Sequence, residues 1–214
     1  MSMKNISKVA VLGGGGRTGK YLVNQLLKEG FSLKLLLRNP QNFEFQNSNI
    51  EIIQGDALDF ESIILLLKDC QAVISTIGQR KDEPLVASAV TKNVLDVMKE
   101  FGIKRYVLLA GLNVDTPFDK KSEKTVMATN WMKTNFPLIQ DDRQKAYNLL
   151  AESEVNWTQV RVPFIEFTDN SPEIKINLED CLGDKISANN IACFMTKEMF
   201  ESNCSKQSPF ISKV

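Results

Sequence analysis

Four glycines in succession, Gly13 to Gly16, are followed by Arg17, Thr18 and Gly19. Glycine loses more backbone freedom on folding than any other residue, so such a run is costly unless the backbone must approach something closely. Gly13, Gly16 and Gly19 give a GxxGxxG spacing, with the apolar run "VAVL" before it and an amphipathic stretch after it. Between a strand and a helix, that spacing suits a dinucleotide pyrophosphate. The first glycine turns the chain, the second admits the phosphates, and the third lets the helix pack on the strand. Gly15, Arg17 and Thr18 belong to the same loop. The helix that opens there would offer free N–H groups and the positive end of its dipole.

A second arginine bears on which dinucleotide is held. Sites that prefer NAD place an acidic residue about 20 residues past the glycine loop, where it bonds the ribose 2′-hydroxyl. Here "LLLRNP" ends its apolar run in Arg38, with no neighbouring carboxylate. A planar guanidinium matches a 2′-phosphate, and Arg17 could reach the same group. The expected cofactor is therefore NADP(H) in preference to NAD(H).

Other chemistries lack their residues. The chain has no histidine, which removes a Ser-His-Asp triad, a Cys-His pair and any histidine-ligated metal site within it. Cys70, Cys181, Cys193 and Cys204 show no CxxC spacing and read as reduced thiols of a cytoplasmic protein. No metal site is expected. Lysine plus arginine equals aspartate plus glutamate, 26 of each, so no overall basic field draws nucleic acid or an anionic membrane. The longest apolar run, "IILLL", is too short to span a bilayer, and the N-terminal stretch lacks the apolar core of a signal peptide.

The elements that must position these residues are visible as alternation. Apolar runs at 8–12, 32–37, 50–54, 72–76, 105–110 and 157–162 read as strands, rich in Val, Ile and Leu as in a parallel sheet covered on both faces. Helices are expected at 19–29, 60–68, 84–100, 141–153 and about 188–200. Gly30 would stop the first, Asp59 cap the second, Pro84 open the third, and two aspartates open the fourth. This predicts an α/β, Rossmann-like, doubly wound and mostly parallel sheet. Residues 1–214 form one NAD(P)-binding domain, with 163–214 a small C-terminal cap on the substrate side.

"GGGGRTG", "LLLRNP", "QGDALD", "VISTIG", "GIKRYVLLAG" and "VNWTQVRVPFI" occur in the order found in atypical short-chain dehydrogenase-like proteins. Over roughly residues 6–200 the chain most resembles the NAD(P)H-binding, NADH-flavin-reductase-like branch that includes biliverdin reductase B. The resemblance implies further cofactor contacts: Asp56 and Ala57 at the adenine edge, Thr76, Ile77 and Gly78 along the second ribose and nicotinamide, and Arg80 near the phosphates. It also implies that Tyr147 faces the substrate.

The departures limit the chemistry. Alcohol-oxidising relatives carry a Tyr-x-x-x-Lys pair and an upstream serine, in which tyrosine is the acid/base. None of Tyr21, Tyr106 and Tyr147 has a lysine four residues on, and Ala110-Gly111 stands where the serine is expected. "ISANNIA" carries Asn190 where the family segment has an acid. Hydride transfer to a flavin or quinone needs positioning and a stacking surface rather than that triad. Phe118, Phe164 and Phe167, with Arg143 and Tyr147, are the candidates to meet such an aromatic acceptor. Two readings stand: an NADPH-dependent reductase of a flavin or quinone-like acceptor, and a non-catalytic NADP(H)-binding redox sensor of the NmrA type.

Overall fold

The computed structural model describes residues 6–213; residues 1–5 and 214, which belong to the expected 1–214 domain and to the N-terminal stretch read above, lie outside it. Its centre is an eight-stranded sheet in the order β3-β2-β1-β4-β5-β6-β10-β8. The first six are β1 (Lys8–Leu12), β2 (Ser32–Leu37), β3 (Ile50–Gln54), β4 (Ala72–Ser75), β5 (Arg105–Gly111) and β6 (Asn156–Val162). All six run parallel. Val9 of β1 stands beside Leu33 of β2 on one side and Ala72 of β4 on the other. The strand order therefore reverses between β1 and β4, which opens a crevice at their carboxyl ends.

Alternation along β1 sorts its side chains to the two faces of the sheet. Val9 and Val11 join Leu22 and Leu26 of α1 (Arg17–Lys28) and Ile191 and Met195 of α6 (Ala188–Glu201). Ala10 and Leu12 join Leu66 of α2 (Phe60–Leu67), Val94 of α3 (Ala87–Phe101) and Leu150 of α5 (Pro137–Glu152). All of these side chains are 0% exposed. Both faces of the sheet are thus covered, and that is why its strands read as unbroken apolar runs.

The boundaries differ from the sequence reading where a side chain from elsewhere sets them. α1 starts at Arg17 rather than 19, with Gly16 as its N-cap. α3 starts at Ala87 rather than at Pro84, because Asp142 of α5 accepts from the N–H groups of Ala87 (2.7 Å) and Ser88 (3.2 Å) and from the Ser88 hydroxyl. α5 starts at Pro137, so Asp141 and Asp142 sit beyond its first residues, and Asp142 caps a different helix. α4 (Glu123–Asn135) was not expected. Its buried residues are Thr125 and Thr129, while Met127 and Trp131 face solvent, so there is no apolar stripe to read.

Residues 163–214, expected as a small cap, divide into two parts. β8 (Ile174–Asn177) and β10 (Phe210–Lys213) extend the main sheet, with β10 parallel to β6 and antiparallel to β8. β7 (Phe164–Glu166) and β9 (Lys185–Ser187) form a separate two-stranded parallel pair beside the cleft. Asn190 holds this region without a charge: its Nδ2 donates to the Pro172 carbonyl at 2.8 Å. The four cysteines are free thiols, and burial pushes Cys70 and Cys204 up to about 11. No helix of the described residues is long and apolar enough to cross a membrane, and no cluster of metal-ligating side chains occurs among them.

Arg105 of β5 ties the far end of the sheet to α6. It is 2% exposed, donates to the carbonyls of Met199 (3.2 Å) and Asn156 (3.0 Å), and lies 3.5 Å from the Glu198 carboxylate. Burial lowers its pKa to about 10, against the opposing pull of Glu198. Removing the carboxylate leaves a buried cation without its counter-charge. Glu198→Ala should therefore lose about 3–5 kcal/mol of stability, read as a drop in the urea midpoint at unchanged slope.

Candidate active site

The crevice at the β1/β4 reversal is a cleft of about 880 Å³. Gly13 turns into it with φ +78°, and a Cβ there would come within 2.8 Å of the Thr76 backbone. Gly19 is tighter still, since its Cβ would lie 2.0 Å from the Gly13 carbonyl oxygen. These two positions need glycine, and they hold the first turn of α1 against the end of β1. Gly16 N–H donates to Gly13 O at 2.9 Å, closing the loop. No side chain caps α1 and no acidic residue lies in its first turn, so its N–H groups and positive dipole end are available at the cleft. The cradle therefore fits an anionic phosphate group.

Most of the residues singled out in the sequence line this one cleft: Gly13, Gly15, Gly16, Arg17, Thr18, Arg38, Asp56, Ala57, Thr76, Ile77, Gly78, Arg80 and Arg143. Gly19 stands just behind the lining and acts through the close packing described above. Thr76 N–H donates to Leu12 O at 3.0 Å, fixing the loop after β4 to the end of β1.

Two cofactor-side residues have partners that local sequence does not reveal. Arg38 is not isolated from carboxylates. Its guanidinium makes two bonds to Glu83, at 2.8 and 3.2 Å, and lies 3.9 Å from Asp56. The hydrogen bond from Arg38 holds the Glu83 carboxyl below its ordinary pKa, and the same bond raises that of Arg38. Asp56 accepts from the Leu58 N–H at 2.9 Å, so one carboxylate oxygen stabilises a turn rather than standing free.

The acceptor side needs three corrections. Tyr147 is only 7% exposed and lies in the core, edge-to-face with Trp157 at 6.1 Å between centroids, outside the cleft. Burial raises its pKa. Phe164 is 81% exposed and points away, because alternation along β7 sends Phe164 and Glu166 outward while Ile165 lines the cleft. Phe118 is 72% exposed and also lies outside it. Phe167 does line the cleft, with the Arg17 guanidinium 4.3 Å from its ring centre. Arg143 projects at the ends of β5 and β6. It donates to Asn113 Oδ1 at 3.3 Å, and burial lowers its pKa.

Further lining residues escaped the sequence reading: Gln79, Glu83, Ile139, Asp142 and Gln159. Gln79 and Glu83 lie on a loop, Ile139 and Asp142 on α5 and Gln159 on β6, and no local pattern encodes their approach to the glycine loop. Tyr106 also lines the cleft, at its floor. Its hydroxyl bonds to Ser75 and Thr91, and burial holds its pKa well above the ordinary phenol range.

Comparison with known proteins agrees with this geometry. The family model described as NAD(P)H-binding matches residues 13–202, and the chain belongs to that family. Among curated relatives, cinnamoyl-CoA reductase 1 of Petunia hybrida is 27% identical over 141 residues, which are 60% of this chain and 42% of that protein. An isoflavone reductase homolog of Nicotiana glauca is 32% identical over 111 residues, 47% of this chain and 34% of that protein. The matched regions thus span less than half of these relatives. Among solved structures, a short-chain dehydrogenase/reductase of Veillonella parvula in complex with NADP superposes with a TM-score of 0.81 at 13% identity, covering 97% of this chain and 95% of that one. A Rossmann-fold NAD(P)-binding family protein of Shigella flexneri gives 0.75 at 18% identity, covering 98% and 94%. At these identities the structural likeness concerns the fold.

The cradle makes a sharp prediction. In Gly19→Ala the new methyl group must push the Gly13 carbonyl away from α1, which breaks the loop geometry. Dinucleotide affinity should fall by at least about tenfold, with a stability loss of about 1–3 kcal/mol, as for other overpacked sites. Calorimetric titration beside thermal unfolding measures both.

Proposed function

We propose that this protein is a cytoplasmic NADPH-dependent reductase that passes hydride directly to a flavin or quinone-like aromatic acceptor. The observation that carries the reading is the composition of the cleft beyond the glycine loop. At the carboxyl ends of β5 and β6 the lining is Ala110, Gly111, Val162, Pro163, Ile165 and Phe167, with Arg143 the cation among them. A flat apolar ring can stack on such a surface, while Arg143, which donates from Nη1 to Asn113, has further guanidinium N–H donors for an acceptor carbonyl. Among the described tyrosines only Tyr106 reaches the cleft, and its hydroxyl is already engaged at the floor. A reaction that takes its proton from solvent suits these residues better than one needing a tyrosine acid. The reductase names of the curated relatives support the general class of reaction.

When bound, the reduced nicotinamide supplies the hydride, which with one proton reduces the acceptor ring by two electrons. The chain's own part is to bind, orient and exclude water. The uncapped start of α1 and the glycine loop hold the phosphates. Arg38 receives the 2′-phosphate, while Ile165 and Phe167 screen the acceptor end from solvent.

Four outcomes test this. Purified protein should oxidise NADPH with FMN, FAD or a quinone, and NADPH should bind more tightly than NADH. Arg38→Ala should narrow that difference by about tenfold, the worth of a charge-assisted hydrogen bond. Arg143→Leu should lower kcat/KM for the acceptor by about 10–100-fold, the range for a lost bond from a charged donor, with a much smaller effect on NADPH affinity. NADPH binding with no acceptor reduced would replace the reductase with a redox sensor, and an NADPH affinity unchanged in Arg38→Ala would end the assignment of Arg38.

A further inference from the structure

The cationic fork expected to receive a 2′-phosphate is already filled by the chain itself. Arg38 presents two nitrogens to the two oxygens of Glu83, at 2.8 and 3.2 Å, in the bidentate pattern by which guanidinium binds phosphate. Glu83 lies 45 residues away, on the loop between β4 and α3, and both residues line the cleft. We infer that Glu83 is an internal competitor for the 2′-phosphate site: it occupies Arg38 until a 2′-phosphorylated cofactor displaces it, and so sets the affinity difference between NADPH and NADH. This rests on the assignment of Arg38 made above.

Three observations support displacement rather than a permanent brace. First, the pair is partly solvated, with 37% of the Arg38 side chain and 32% of the Glu83 side chain exposed, so breaking it strands no buried charge. Second, Glu83 has an alternative partner. Arg80 lies 3.6 Å from Oε1, the oxygen that also accepts from Arg38 Nη2, so a carboxylate leaving Arg38 stays beside a cation. Third, the loop is gathered by one side chain. Gln79 Nε2 donates to the carbonyls of Arg80, Glu83 and Pro84, at 2.9 to 3.1 Å, while its Oε1 is buried with no partner, and Asp82 within the loop has φ +59°. A left-handed aspartate is unfavourable, so the loop stores strain that its Gln79 bonds oppose. A phosphate and the Glu83 carboxylate cannot share one guanidinium fork without like-charge repulsion. A cofactor bearing only a 2′-hydroxyl does not have to evict the carboxylate, and can even bond to it.

The test is titration of NADPH and NADH into wild type, Glu83→Gln and Glu83→Gln/Arg38→Ala at fixed ionic strength. Removing the competing charge should tighten NADPH by about fivefold, the upper worth of a partly exposed ion pair, and leave NADH within about twofold. In the Arg38→Ala background the gain should vanish. Weaker NADPH binding in Glu83→Gln would mean that Glu83 merely braces Arg38 and would overturn the inference, as would unchanged binding. If wild type shows no NADPH preference but Glu83→Gln creates one, the competitor stands and the wild-type preference falls. If wild type prefers NADPH and Glu83→Gln changes nothing, the preference stands and the competitor falls. Glu83→Asp, charged but one methylene shorter, should lie between wild type and Glu83→Gln.

Discussion

The approach of α1 to the end of β1 is the constraint on which the rest of the molecule depends. With a Cβ at Gly19 only 2.0 Å from the Gly13 carbonyl, no other residue permits the first turn of the helix to sit there. That one contact aims the uncapped helix N-terminus into the crevice. It also places Leu22 and Leu26 of the helix on the face of the sheet where Val9 and Val11 emerge. The same residue thus serves binding and core packing, and the cost of its flexibility is repaid by both.

Charge is distributed along the cleft in a way that separates its ends. Beside the end of β2, Arg38, Arg80, Asp56 and Glu83 form a partly solvated group in which each charge has an opposite neighbour. At the ends of β5 and β6 apolar lining residues surround Arg143, which donates to Asn113 and whose pKa is lowered by burial against the opposing pull of Asp142. Solvated pairs exchange partners at little cost, whereas a desolvated cation among apolar side chains is worth more to an incoming carbonyl or anion. Phe167, stacked under Arg17, joins the two ends by bringing the C-terminal segment over the glycine loop.

The segment after β6 shows how one stretch can serve both structure and site. β10 lies beside β6 and carries β8 on its outer edge, so the tail completes the sheet. β7 and β9 leave that sheet and pair with each other, which brings Ile165 to the cleft and sends Phe164 to solvent. Arg161 of β6, 0% exposed, anchors the junction by bonding to Asp119 at 2.8 Å and lying over the Phe210 ring at 3.5 Å.

The sequence by itself determined the parallel core and the phosphate cradle. Apolar-rich runs at 8–12, 32–37, 50–54 and 105–110 became β1, β2, β3 and β5 within a residue; in β1, β2 and β5 burial on both faces leaves its mark along most of the strand, while β3 is an edge strand with no buried residue. GxxGxxG was legible because its spacing sits between one strand and one helix, and Gly19 answers to Gly13 within the same loop, although Gly13 itself also answers to the distant Thr76 backbone. Tertiary structure alone decided what depends on distant groups. Asp142 capping α3 rather than its own helix, Glu83 on Arg38, and Tyr147 in the core rather than the cleft all arise between elements 10 to 55 residues apart. α4, and the division of residues 163–214 between sheet and cleft, were likewise settled by neighbours. An ion pair or a cap is a meeting of two side chains in space, and neither residue carries a mark of its partner in the chain around it.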